Sequence, residues 1–350
     1  MKKIICIILL SFLVLSGCES KELAKSEFYQ YNYEKMEDVE KEAYLQMYTA
    51  ILNHEESVTL KGIEKETIQD LYVKVRNDHP ELFWMDNKYS LSSSFGGNVM
   101  EVKFSYLLDK DDAENAKAKI EKVKDEFIAQ LHPESSDVQK IRAAYEFVIH
   151  RCEYVADSEN DQNIQSVFIA NESVCAGYAR ALQYLLLNMD IPCGYIEGYS
   201  TAENTKIRHA WNVVQVDKDW YYIDATWGDK TGEITHVCDA YFLMNSDEML
   251  KAYEPSTSYE KTKDKKLNWC KEKGNYVEKW NASQIQKLWK DAKASNVRYI
   301  EMKCAENVYE DMVERIKKGE MYEILRQMGM FVDRIWYVKN DALNMIEVFY

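Results

Sequence analysis

Between Asp38 and Leu52 the apolar positions Val39, Ala43, Met47 and Ile51 recur at helical spacing. Ile68, Leu71 and Val75 repeat that spacing within 63–77. His79-Pro80 stops this second helix, because the residue before proline is pushed out of the α region. Leu82 to Met85 and Val99 to Leu108 are rich in aromatic and branched residues and predict strands, with Gly96-Gly97 as a turn between them. Asp111 to Leu131 is a charged helix with one apolar stripe at Ala116, Ile120, Val123, Phe127 and Leu131. His132-Pro133 closes it. Its Lys/Glu face reads as solvated surface.

Beyond this, Val174 to Asn188 predicts a buried helix, with apolar residues at Leu182, Leu185, Leu186 and Met189 and Ser173 as its N-cap. His209 to Val216 alternates as a strand does, Trp220 to Ala225 is a second strand, and Asp217-Lys218 fits a two-residue turn between them. That register places Asp224 opposite Trp211 and diagonal to His209 on one face. A three-residue turn would put them on opposite faces. Towards the C-terminus, helices are expected over 284–294, 308–317 and 321–328, a strand over 298–303, and a hairpin of 332–338 with 344–349.

The first residues break this pattern. Lys2 and Lys3 precede an apolar run from Ile4 to Leu15, which as a helix reaches only ~18 Å, short of the ~30 Å hydrocarbon core. It reads as a signal peptide. It ends Leu15-Ser16-Gly17-Cys18, which resembles a bacterial lipobox, so Cys18 is the expected lipidation site. The expected divisions are a signal over 1–17, a lipidated Cys and tether over 18–31, an N-terminal α+β domain over 32–132, a catalytic domain over 133–240 and a C-terminal α+β accessory domain over 241–350. The expected address is extracytoplasmic, lipid-anchored to the bacterial cell membrane.

The net charge of the 350-residue chain is −15, and loss of Lys2 and Lys3 with the signal takes it to −17. That balance argues against nucleic acid as a partner, because phosphate binding needs clustered Lys and Arg. It also leaves lipid on Cys18, rather than surface charge, to hold the protein at an anionic membrane. Gly and Pro are scarce, at 12 and 4 residues, which excludes collagen-like or linker-rich architecture. Eight cysteines are too few for a disulfide scaffold, and those left after Cys6, Cys18 and Cys175 are set aside are odd in number.

Cys175 falls in the first turn of the predicted buried helix, where free N–H groups and the helix dipole favour a thiolate. Gly177 just beyond it permits close approach of a backbone or substrate. A helix-start Cys followed by a His and an Asp on one hairpin face makes a nucleophile, base and orienter set.

The blocks Ser-Val-Cys-Ala-Gly-Tyr-Ala (173–179), His-Ala-Trp-Asn (209–212) and Tyr-Ile-Asp-Ala-Thr-Trp-Gly-Asp (222–229) resemble the three signature blocks of the transglutaminase-like superfamily, in the family's order. Residues 137–230 carry the resemblance most strongly. It implies an α+β fold with a papain-like core, the nucleophile helix packed on an antiparallel sheet between N- and C-terminal flanking domains. It implies Cys175 as nucleophile, His209 as base and Asp224 as orienter. Gln165, then Tyr154, are candidate oxyanion donors, and Trp211 and Trp227 candidate walls of a substrate channel. The implied activity is acyl transfer or hydrolysis at protein or peptide amides. A silent binding protein that keeps the triad is the alternative. No cofactor is implied. No metal is expected either: Cys193, His236 and Cys238 lack zinc spacing, His236-Val237-Cys238 reads as local packing, and 157–168 lacks the Gly and the final Glu of a calcium loop.

Overall fold

The structure is a computed structural model that describes residues 23–93, 99–202, 206–264 and 266–350. The signal segment, Cys18 and the Gly96-Gly97 turn lie outside the described residues. Among the described residues, no helix is long and apolar enough to cross a membrane.

The N-terminal elements are α1 (Asp38–Leu52), β1 (Ser57–Lys61), α2 (Lys65–Asp78), β2 (Met85–Ser93), β3 (Val99–Tyr106) and α3 (Lys110–Ile128). The strands form one antiparallel sheet in the order β1-β3-β2. Helix α2 ends where His79-Pro80 requires, with His79 as its C-cap. Helix α3 stops earlier than the expected Leu131, at Ile128 with Ala129 as C-cap, so His132-Pro133 does not close it. Leu82 to Trp84 is a turn rather than a strand, and pairing starts only at Met85. Those three side chains are buried by packing inward from the turn. β1 is absent from the sequence reading, because Ser57-Val-Thr-Leu-Lys is short and half polar. Val39, expected on the apolar stripe of α1, is exposed instead.

The middle of the chain begins with α4 (Asp137–Arg151), whose Ser136 and Gln139 form a reciprocal capping box. Two short parallel strands follow, β4 (Glu153–Tyr154) and β5 (Glu172–Ser173), separated by a π-helical turn over Ser166–Ala170. Then come α5 (Cys175–Leu187), β6 (Cys193–Ser200), β7 (Ile207–Val216), β8 (Asp219–Ile223), the single turn α6 (Ala225–Gly228), β9 (Asp229–Lys230), β10 (His236–Val237), α7 (Ser246–Ala252) and β11 (Tyr253–Pro255). The central sheet is antiparallel in the order β11-β6-β7-β8.

The β7–β8 hairpin has the predicted register, with Val216 opposite Asp219 and Asn212 opposite Ile223. Asp217 and Lys218 both take positive φ, 49° and 68°, which a two-residue primed turn needs to match strand twist. Helix α5 lies on this sheet and is buried along nearly its whole length. Asn212 pins it there by donating to the Ala179 carbonyl at 2.9 Å.

The last elements are α8 (Trp269–Lys273), β12 (Tyr276–Val277), α9 (Ala282–Ala294), β13 (Tyr299–Cys304), α10 (Tyr309–Lys317), α11 (Glu320–Gln327), β14 (Trp336–Asn340) and β15 (Met345–Phe349). Their sheet runs β12-β13-β15-β14. The final hairpin pairs Asn340 with Met345, so 341–344 form its loop, and its first strand starts at Trp336 rather than 332.

This C-terminal sheet and its helices bury a core of their own around Trp289, Met302 and Met312. By contrast, side chains of α1, α2 and β3 share one continuous core with α4, α5 and β8. The architecture is α+β, with the helix that begins at Cys175 packed on an antiparallel sheet.

Candidate active site

Cys175 is the first residue of α5. Ser173 does not cap this helix. The N-cap is Val174, without a side-chain bond, while the Ser173 hydroxyl meets Ser166 Oγ at 2.7 Å. The first-turn N–H groups beside Cys175 therefore keep no side-chain acceptor from the cap. Gly177 is obligatory here. A Cβ at that position would collide with the Ser173 and Ser166 hydroxyls and lie 2.8 Å from the Asp161 carbonyl oxygen.

His209 is 6% exposed, and its Nε2 lies 2.7 Å from Asp224 Oδ2. The Cys175 thiol is the ring's second hydrogen-bonding neighbour. Since Nε2 is taken by Asp224, Nδ1 is the nitrogen left for sulfur. Burial alone would push the imidazolium pKa down. The charge and hydrogen bond of Asp224, joined by Cys175, overcome this and lift it to about 10.

Asp224 lies one residue past the end of β8, and its carboxylate caps α6 by accepting from Trp227 N at 3.0 Å. It thus reaches His209 from a helix cap, not from the strand position that the hairpin arithmetic assigned. The carboxylate has a further donor that the sequence did not flag. Tyr253 OH donates a hydrogen bond to Oδ2 at 2.7 Å. Tyr253 stands at the start of β11, 29 residues beyond Asp224, with no local pattern around it.

Trp211, one of the two expected substrate walls, is fully buried. It packs on Tyr253 at 4.8 Å and lies near-parallel to the His209 ring at 6.2 Å, so it supports the imidazole from behind and faces no channel. Trp227 is half-buried, 5.9 Å from His209, and its indole N–H donates to Ser200 Oγ at 3.0 Å. Of the oxyanion candidates, Gln165 is buried, and its Nε2 has no hydrogen-bond partner among the described residues. Tyr154 is 53% exposed on β4, and partial burial, followed by the charge of Cys175, raises its phenol pKa.

Two residues of the signature blocks have structural work. Tyr178 donates to Asp229 Oδ2 at 2.9 Å and to the Cys152 carbonyl at 3.0 Å, joining the first block to the third. A cleft of about 480 Å³ opens beside the start of α5, lined by Ala176 and Arg180, by Glu197 and Arg208 of the sheet, and by Arg76 and Phe83 of the N-terminal part.

Residues 121–225 match the family described as the Transglutaminase-like superfamily, and Cys175, His209 and Asp224 all fall inside the match. The chain carries a domain of the transglutaminase-like superfamily. A segment of this kind points to a thiol enzyme.

Curated relatives of the transglutaminase-like segment are the kyphoscoliosis peptidases. That of Mus musculus is 24% identical over 157 residues, which is 39% of this chain and 24% of the relative. That of Homo sapiens is 25% identical over 118 residues, 30% of this chain and 18% of the relative. The chain thus spans about a quarter or less of the length of these relatives. Among solved structures, a TGase shares 17% identity at a TM-score of 0.30, over 53% of this chain and 54% of its own. A putative cysteine protease from Cytophaga hutchinsonii shares 16% identity at 0.27, over 40% and 61%.

Proposed function

We propose that the protein is an extracytoplasmic, lipid-anchored thiol enzyme that works on protein or peptide amides with Cys175, His209 and Asp224. One observation supports this above the rest: the His209 ring stands between a buried carboxylate at 2.7 Å and the Cys175 thiol. In this reading the Cys175 sulfur attacks the amide carbon as a thiolate. A C–S bond forms, the C–N bond breaks, and the imidazolium protonates the departing amine. An amine or water then attacks the thioester carbon, the imidazole takes up its proton, and the C–S bond breaks to return the Cys175 thiolate. The N–H of Cys175, with Gln165 Nε2 the candidate side-chain donor, would stabilise the oxyanion. A half-buried Cys175, whose neighbour Ala176 lines the open cleft, favours an enzyme over a silent binder.

Incubation with a glutamine-donor peptide and a labelled amine, read by mass spectrometry, separates amine incorporation from cleavage. Cys175→Ala should abolish labelling by a thiol-reactive acyl probe with the far-UV spectrum unchanged. Equal labelling of both proteins would remove the catalytic role. The anchor is checked separately: Cys18→Ser should move the protein from the membrane fraction to the medium, and unchanged fractionation would remove Cys18 as the attachment point.

A further inference from the structure

Away from the triad, His236 of β10, Glu301 of β13 and Glu347 of β15 bring one ligand atom each to within 4.8 Å of one another, all three side chains buried. Glu301 and Glu347 are direct cross-strand partners. They are only 4% and 5% exposed. Like charges opposite each other destabilise a sheet, and burial removes the water that would screen them.

Part of the compensation is visible. Glu301 Oε1 accepts from the Asp239 backbone N–H at 2.9 Å. Lys273 lies 3.6 Å from Glu301 Oε2, but it also pairs with Asp239, so its charge is shared. Glu301 Oε2 itself has no hydrogen-bond partner among the described residues.

The histidine sharpens the case. Its Nδ1 lies 3.1 Å from the Ile234 carbonyl oxygen, which can only accept, so Nδ1 carries the proton. The Nε2 lone pair of a neutral ring then points at Glu347 Oε1, 3.0 Å away. Two acceptors at that distance need a cation or a proton between them. A proton neutralises one carboxylate, whereas a divalent ion neutralises both.

We infer that His236, Glu301 and Glu347 bind a divalent transition-metal cation, zinc first, that clamps the transglutaminase-like domain to the C-terminal sheet. The donor set is one imidazole and two carboxylates, and the other ring nitrogen is held by a backbone carbonyl, as is usual for a histidine that ligates metal. Donors on a tetrahedral zinc at ~2.0 Å stand about 3.3 Å apart, within the range of separations here. Calcium is a poor fit, since it takes six to eight oxygens. The spacing hid this site: the ligands come from separate strands, and His236-Val237-Cys238 alone is no zinc motif.

The full chain, stripped with a chelator and titrated with zinc chloride, should take up one equivalent. Its Tm should rise by about 5 °C or more. His236→Gln and Glu347→Gln should each weaken zinc binding by at least ~100-fold. Cobalt(II) in place of zinc should give intense visible d–d bands, a readout independent of activity and of variant folding. If the stripped wild type shows no stoichiometric uptake and no cobalt bands, or if folded variants bind zinc as tightly, the trio is an imidazolium–carboxylate cluster and the inference fails.

Discussion

Asp224 gathers three donors onto one buried carboxylate: His209 Nε2, Tyr253 OH and Trp227 N. The charge and hydrogen bond of that carboxylate are what keep the imidazole protonated against its burial. The His209 pKa rises from 6.5 in the free side chain to about 10 in the fold. A raised pKa means the folded state holds its proton more tightly than the unfolded chain does. The stabilisation is therefore complete below pH 6.5 and lost as pH climbs through about 10. Asp224→Asn should erase it, so the stability gap between wild type and variant should narrow across that window. Urea unfolding on both sides of the window checks this, and a gap that stays constant would assign the stability to packing alone. The same variant should lower kcat by ~10²–10⁴-fold and move the alkaline limb of activity towards acid, because burial then acts on the ring unopposed. Tyr253→Phe should move the limb the same way by less.

At the scale of elements, the site depends on how the start of α5 is seated. Ser173 faces Ser166, and Gly177 leaves no gap between the helix and the 161–173 segment. Gly177→Ala should cost about 1–3 kcal/mol and displace Cys175 from His209. Adding Ser173→Ala removes one clash but leaves the Ser166 hydroxyl and the Asp161 carbonyl, so the double variant should recover only part of the loss. Thermal unfolding and acyl-probe labelling measured together test this, and full recovery would show that the backbone contact is unimportant. The hairpin of β7 and β8 contributes the other half of the site. Its primed turn sets a register that keeps His209 on the face towards Asp224.

On the scale of the whole molecule, the N-terminal part is built into the scaffold that carries Cys175 and His209. The Arg180 guanidinium of α5 is buried, donates to the Arg76 carbonyl at 2.6 Å and to Asn77 Oδ1 at 2.9 Å, and stacks 4.1 Å over Tyr195. Gln183 adds a bond to the Asn77 carbonyl at 2.8 Å. Cutting away 32–132 would leave these groups unpaired and expose the core that α1 and α2 share with α4 and α5. A fragment of 133–350 should therefore bind hydrophobic dyes and melt without a cooperative transition. Sharp two-state unfolding of that fragment would refute the dependence.

The order of Cys175, His209 and Asp224, the Pro-terminated end of α2 and the two-residue turn at Asp217-Lys218 were all legible from the chain, because each rests on local chemistry. A proline restricts its neighbour, a turn length sets a register, and a family block keeps its spacing. Tyr253 behind Asp224, Trp211 as a buried support, Val174 in place of Ser173 at the helix cap, and the meeting of His236 with Glu301 and Glu347 were not. These depend on residues far apart in sequence whose side chains meet only after the sheets pack, and no local pattern encodes such a meeting. The sequence by itself determined which residues are candidates for the chemistry; the tertiary structure decided which of them stand together, and how deeply they are buried.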